Sequence, residues 1–240
     1  VSVGDSGLVH GSRANLWAIR SAIGYWWEVP AAAGPLLTLN GSNVVSLVDR
    51  ISGVPATQAD PLAQPEHHAS GGPGDIPYTA FQDVDRFLAA TISNPAGSRV
   101  GIYAVVQIGG TSGRSVLWAR SGASYGLEFY NGAGSFAVGA GFTGGDQFVS
   151  ATTSPPFDSS WHLLSLRPLA TGARFEIDGV LASPSVTGAD TLKAMTTQVI
   201  GGDGNAGGAL AMLFHVDAPD DGRDAIVKSY VRWRTKLPIA

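Results

Sequence analysis

Cysteine is absent from these 240 residues. That excludes a disulfide framework and any zinc site built on thiolates. Charge is also scarce: Asp, Glu, Lys and Arg make up 14 % of the chain, well under the roughly 25 % of an ordinary soluble domain. So thin a charged shell suits a surface partly covered by a partner. The net charge of −4 offers no basic surplus for nucleic acid or an anionic membrane. No apolar run approaches the roughly 18 residues needed to span a bilayer, so membrane insertion is not expected. The opening residues, VSVGDSGLVHGSRANLWAIR, lack the basic start and greasy run of a secretory signal. The expectation is synthesis and assembly in the cytoplasm, or a signal removed before Val1.

Glycine is abundant, with 32 residues, and 44 % of the chain is apolar. Tight turns and a real core are both provided for. Strand-like runs recur at Phe87–Ala90, Ile102–Ile108, Ser115–Ala119, Tyr125–Tyr130, Ser135–Ala140, Trp161–Arg167, Arg174–Ile177, Gln198–Ile200 and Ala209–Val216. Many short strands between turn signals predict an antiparallel β-sandwich. Residues 52–78, with five prolines, read as loop. One helix is predicted at about Asp221–Lys236. Ile226, Tyr230, Trp233 and Leu237 share a face, with acids at its start and bases toward its end. Residues 1–24 are small, polar and weakly periodic, and read as an extended arm preceding a domain at 25–240. Burying Leu8, Val9, Leu16, Trp17 and Ile19 against another subunit is the expected way to order that arm.

The most informative stretch is FDSSWHLLSLRPLATGARFEIDGVL, Phe157–Leu181. Ala173, Phe175 and Ile177 alternate with Arg174, Glu176 and Asp178, the mark of a strand with one face buried. Asp178-Gly179 then supplies the positive φ angles of a two-residue hairpin turn. This hairpin resembles the core hairpin of the laminin-G-like, concanavalin-A-like jelly rolls. The likeness extends over about 25–236. VVSLVDRISGVPATQADPLAQP matches a bacterial and phage pattern of that group at Asp49, Ser52, Gly53, Ala56, Thr57, Gln58, Gln64 and Pro65, with Leu47 where Trp is usual. FQDVDRFL and the end VIGGDGNAGGALAMLFHVDAPDDGRDAIVKSYVRWR follow in the same order. The resemblance implies an all-β jelly roll with one C-terminal helix, and it points away from catalysis.

Enzymatic motifs are poorly supported. Gly122–Gly126 fits G-x-S-x-G around Ser124, but joins two strand-like runs rather than a strand and a helix. Two G-x-G-x-x-G matches, at 139–144 and 202–207, precede no helix that would hold a pyrophosphate. Glu176 and Asp178 share a strand face as a glycosidase pair would, yet Gly179, Val180 and Leu181 follow where a third carboxylate belongs. His67-His68 reads as a solvated loop pair whose side chains point opposite ways. No catalytic residue and no metal ligand is therefore assigned. Calcium is the one cofactor with suitable donors, at Asp83, Asp85, Asp146, Asp203, Asn205 and Asp217, though Asx turns use the same residues.

Trp118, Tyr125 and Tyr130, near predicted loop edges, are the expected sugar platform, with Asp203 and Asn205 supplying polar contacts. The expected function is a non-enzymatic structural or adhesion module. Its expected place is a phage virion, as head decoration, fibre or tail tip, made in the host cytoplasm. Its expected partners are other virion subunits and cell-surface polysaccharide. Two alternatives remain at this point: a polysaccharide-acting enzyme on the same fold, and a secreted or cell-surface bacterial lectin-like module.

Overall fold

The computed structural model describes residues 16–81, 86–94, 99–108, 160–169, 172–181, 194–201 and 208–240. Between 113 and 151 it describes the strands and their pairing. Seventeen strands are present among the described residues. The first six are β1 Ile23–Glu28, β2 Leu37–Asn40, β3 Asn43–Val48, β4 Pro55–Thr57, β5 Glu66–His68 and β6 Tyr78–Phe81. Then come β7 Phe87–Asn94, β8 Val100–Ile108, β9 Gly113–Ser121, β10 Ser124–Gly132, β11 Ser135–Phe142 and β12 Gly145–Ala151. The last are β13 Trp161–Leu169, β14 Gly172–Ile177, β15 Val180–Leu181, β16 Met195–Gly201 and β17 Gly208–Asp217. A helix at Asp221–Thr235 follows.

Every pairing is antiparallel, and the pairs resolve into two layers. In one, β1 and β6 share an edge of β17, which continues into β8, β13, β14 and β15. In the other, β2, β3, β4, β7, β16, β9, β10, β11 and β12 follow one another. Strand β5 bridges β3 and β6 where the layers meet. This is the antiparallel β-sandwich with one C-terminal helix that the residue pattern predicts.

The first layer is covered on both faces. Ile102, Ala104 and Val106 of β8 enter the core between the layers, with Leu47, Leu88 and Ile200 opposite. Tyr103 and Val105 enter a second core under the helix, with Val227, Tyr230 and Val231. A strand buried on both faces loses alternation and becomes apolar throughout, which is why β8 reads VGIYAVVQI. Adjacent Trp26 and Trp27 divide the same way: Trp27 faces the other layer and Trp26 the helix side. In β17 an irregularity between Leu210 and Met212 sends both Ala211 and Met212 to the helix side, while Leu210 and Leu213 face the other layer.

The hairpin forms as expected. Asp178 (φ 52°) and Gly179 (φ 79°) turn β14 into β15. The Asp178 carboxylate accepts the Leu163 N–H at 2.8 Å and pairs with His162 at 2.7 Å. The C-terminal helix is capped by Asp220, whose side chain accepts the Arg223 N–H at 2.8 Å. Its buried face is centred on Val227, Tyr230 and Val231, while Ile226, Trp233 and Leu237 are only partly buried at its margins.

Two expectations need correction. Residues 16–24 are not an arm lying apart from the sandwich. Leu16 and Ile19 are buried in the second core beside Ile23 and Trp26, so their own domain covers them rather than a neighbour. Trp17 is 56 % exposed, with the Arg20 guanidinium over its ring. Leu8 and Val9 lie outside the described residues. The proline-rich stretch 52–78 is also not all loop: it contains β4 and β5. His67 and His68 therefore stand on a strand. His67 bonds the Pro30 carbonyl at 2.8 Å, and His68 stacks on Tyr78 at 4.4 Å between ring centres.

The matched residues at 49–65 are structural. The buried Asp49 carboxylate accepts N–H bonds from Trp26 and Ser52 and the Ser52 hydroxyl at 2.6 Å. Gly53 has φ 75°, and Ala56 is fully buried. The Gln64 amide donates to the Gln58 carbonyl at 3.0 Å, tying the segment to itself.

Candidate functional site

Among the described residues, three polar assemblies bring chemistry-bearing side chains together. The first lies between the sheet and the helix. Glu176 is buried and takes Lys228 on one oxygen and Arg174 at 2.5 Å on the other. Lys228 also pairs with Asp224 at 2.7 Å, which in turn accepts the Tyr103 hydroxyl at 3.0 Å. Burial, and then the Asp224 charge, push the Tyr103 hydroxyl far above its ordinary value. Glu176 is thus engaged in holding the helix, while Asp178 serves the turn through His162 and the Leu163 N–H.

The second assembly is centred on buried Glu28. It accepts Arg234 at 3.0 Å and the Tyr230 hydroxyl at 3.1 Å, with Arg50 at 3.6 Å. It fixes the start of the sheet to the helix and to the loop carrying Asp49.

The third assembly opens to solvent. A cleft of about 390 Å³ is lined by Gly24, Tyr25, Ser52, Ser93, Asn94, Arg99, Asp217 and Ala218. Four segments build it: the start of β1, the turn after Asp49, the end of β7 with the start of β8, and the end of β17. A Cβ at Gly24 would make ordinary van der Waals contact with an Asp217 carboxylate oxygen at 3.6 Å, so the two residues lie side by side on the wall. Burial raises the Asp217 carboxyl above its ordinary value, and Arg223 works in the opposite direction. The Tyr25 hydroxyl accepts the Ser93 N–H at 2.8 Å.

A polar chain runs from this cleft into the core. The Asn94 side-chain amide donates to His215 Nδ1 at 3.2 Å, and His215 Nε2 donates to the Gln198 side-chain Oε1 at 2.9 Å. His215 and Gln198 have no exposed surface. Burial pushes the His215 imidazole down to about 3, so the neutral ring is held by one donor and one acceptor. The Tyr25 and Trp27 rings stack on each other at 5.3 Å and meet the imidazole edge-on.

The three aromatic residues of the expected sugar platform lie on two paired strands. Trp118 is inside β9, opposite Glu128 and Val199. Tyr125 and Tyr130 are on β10, opposite Arg120 and Ala137. Asp203 and Asn205 lie outside the described residues. Of the calcium donors, Asp217 is at the cleft and Asp146 is in β12, while Asp83 and Asp85 are also outside. Among the described residues no group of three His, Asp or Glu is placed to hold a metal. Sequence reasoning missed Ser93, Asn94 and Arg99. They sit on unremarkable strand ends, and the pairing of β8 with β17, which sets Val100 opposite Asp217, brings Arg99 into the same cleft as that carboxylate.

No family model matches the sequence, and no curated protein matches it significantly. Solved structures do resemble its fold. The receptor-binding domain of botulinum neurotoxin D aligns with a TM-score of 0.60 at 11 % identity, covering 88 % of this chain and 53 % of that one. The binding domain of paraclostridial mosquitocidal protein 1 aligns with a TM-score of 0.59 at 7 % identity, covering 88 % and 52 %. A Trypanosoma rangeli sialidase in complex with sialic acid aligns with a TM-score of 0.56 at 12 % identity, covering 98 % and 39 %. The chain spans about half the length of the toxin structures it matches. Identities this low establish a shared sandwich fold and nothing about activity.

Proposed function

We propose that this chain is a non-catalytic glycan-binding module and that a sugar occupies the cleft beside Asp217. The observation that carries the reading is the cleft itself. Its volume of about 390 Å³ falls within the size of small-ligand sites. Its wall combines a carboxylate, an amide, hydroxyls, a guanidinium and one aromatic ring, a set suited to sugar hydroxyls. The likeness to a botulinum serotype D ligand-binding domain solved with N-acetylneuraminic acid adds support. The finer reading is a phage virion component that touches host-surface polysaccharide. It rests on the laminin-G-like resemblance and the scarcity of surface charge. Neither a metal nor a cofactor enters the proposal.

Saturation-transfer NMR against a panel of mono- and disaccharides tests it. The reading expects binding that Asp217→Ala or Asn94→Ala weakens at least tenfold and Trp118→Ala leaves unchanged. Loss with Trp118→Ala alone moves the site to β9. Release of reducing ends from capsular or cell-wall polysaccharide overturns the non-catalytic reading.

A further inference from the structure

We infer that His215 and Gln198, neither of which reaches the cleft, are positioning residues for ligand binding: together they fix which way round the Asn94 amide stands on the cleft wall. The inference rests on the glycan-binding reading of that cleft and names the part of the core that serves it.

The polarity of the chain is set at its far end. A backbone carbonyl can only accept, and the Gln198 side-chain nitrogen donates to the Val199 carbonyl at 2.9 Å. That turns Gln198 Oε1 toward His215, so His215 Nε2, 2.9 Å away, carries the proton. Burial keeps the ring neutral, which leaves Nδ1 bare. A bare Nδ1 can only accept, and at 3.2 Å it takes an N–H of Asn94. Turning that amide over would set its oxygen against the Nδ1 lone pair. Asn94 therefore keeps its Oδ1 and its second N–H for the cleft that it lines. A sugar hydroxyl can donate to the first and accept from the second.

The chain crosses between the layers. Asn94 and Gln198 stand on β7 and β16, paired strands of one layer, and His215 stands on β17 of the other. Tyr25, opposite His215 in β1, and Trp27 meet the imidazole edge-on and limit its rotation. Apolar side chains would fill this part of the core without the desolvation of three polar ones. The other two polar assemblies offset that penalty by tying the helix to the sheet. This one ends on the wall of a cleft. An amide held one way round before the ligand arrives spares the complex the cost of ordering it.

Two measurements test the assignment. Multiple-bond 1H–15N correlation spectra of the wild type at pH 7 read the His215 tautomer, expected as a protonated Nε2 with a bare Nδ1. A protonated Nδ1 overturns the inference, whatever the variants do. The second measurement is the dissociation constant of methyl glucopyranoside, galactopyranoside and mannopyranoside for the wild type, Gln198→Met and Gln198→Glu, with thermal melts alongside. Methionine removes the acceptor that sets the tautomer, whereas a neutral glutamic acid keeps both bonds, donating to Val199 and accepting from Nε2. Gln198→Met is expected to weaken the probes that bind at least fivefold, and Gln198→Glu to stay within twofold of the wild type. A purely structural role gives the reverse order, because a buried acid destabilises the core more than methionine does. Any smaller loss in Gln198→Met, or a Gln198→Glu variant that binds no better than Gln198→Met, overturns the inference and leaves the glycan-binding reading standing. Binding of none of the three probes, alongside silence across the wider sugar panel, overturns that reading and the inference together.

Discussion

His215 lies without exposed surface between Asn94 and Gln198, its ring pressed by Tyr25 and Trp27. Its position couples the cleft to the core and makes the fold sensitive to acid. Burial lowers the folded imidazole to about 3 from an ordinary 6.5. As pH falls below 6.5, the unfolded chain takes up the proton and the folded one does not. The stabilisation is therefore complete above 6.5 and is lost progressively down to about 3, at up to ~1.4 kcal/mol per pH unit. Between pH 7 and pH 5 the expected loss from this residue is about 2 kcal/mol. Denaturant midpoints at pH 7, 6 and 5 measure it. His215→Gln lowers stability at pH 7 but flattens the slope by that amount. An unchanged slope in the variant means that His215 is not the group responsible.

The C-terminal helix docks through a face that is only partly apolar. Lys228 is buried there between Glu176 and Asp224, so each charge is compensated by another. Lys228→Met removes the shared cation and leaves two carboxylates facing each other, and the expected cost is about 3–5 kcal/mol. Adding Glu176→Leu recovers part of that cost, because a buried pair replaced by apolar groups is often close to neutral. Urea denaturation of the two singles and the double measures the coupling. Additive effects would mean that the pair does not interact. The helix, though its capping by Asp220 was not singled out, was legible in the sequence because acids, bases and apolar residues are ordered along it. Its buried charges were not, since Lys228 and Glu176 are 52 residues apart and meet only through the fold. The same distinction holds for the strands. Long alternating runs such as Arg174–Ile177 announce themselves. Three-residue β4 and β5 do not, because so short a run among prolines carries no period. The cleft is the extreme case: its lining comes from four separate segments, and of these residues the sequence singled out only Asp217 as a possible ligand-binding donor.

At the scale of the molecule, one sheet is shared by two cores. Strands β8 and β17 send alternate residues to the other layer and to the helix, so neither core can empty without exposing the back of the other. Leu16 and Ile19 extend the second core to the start of the described chain. This arrangement predicts one cooperative unfolding transition, not a helix that melts ahead of the sandwich. Leu47→Ala opens the core between the layers and is expected to cost about 2–5 kcal/mol. Val227→Ala opens the core under the helix and is expected to cost ~2 kcal/mol. Both variants should lower a single calorimetric peak whose enthalpy equals the van't Hoff value. Tryptophan fluorescence and far-ultraviolet circular dichroism should give the same midpoint in each. The two sites share no contact in the cores they belong to, so the double variant should show the sum of the single effects. An early fluorescence transition confined to Val227→Ala would show that the helix and its core unfold separately. The shared sheet would then be a scaffold carrying two independent units, and the polar chain from the cleft through His215 would belong to the inter-layer unit alone.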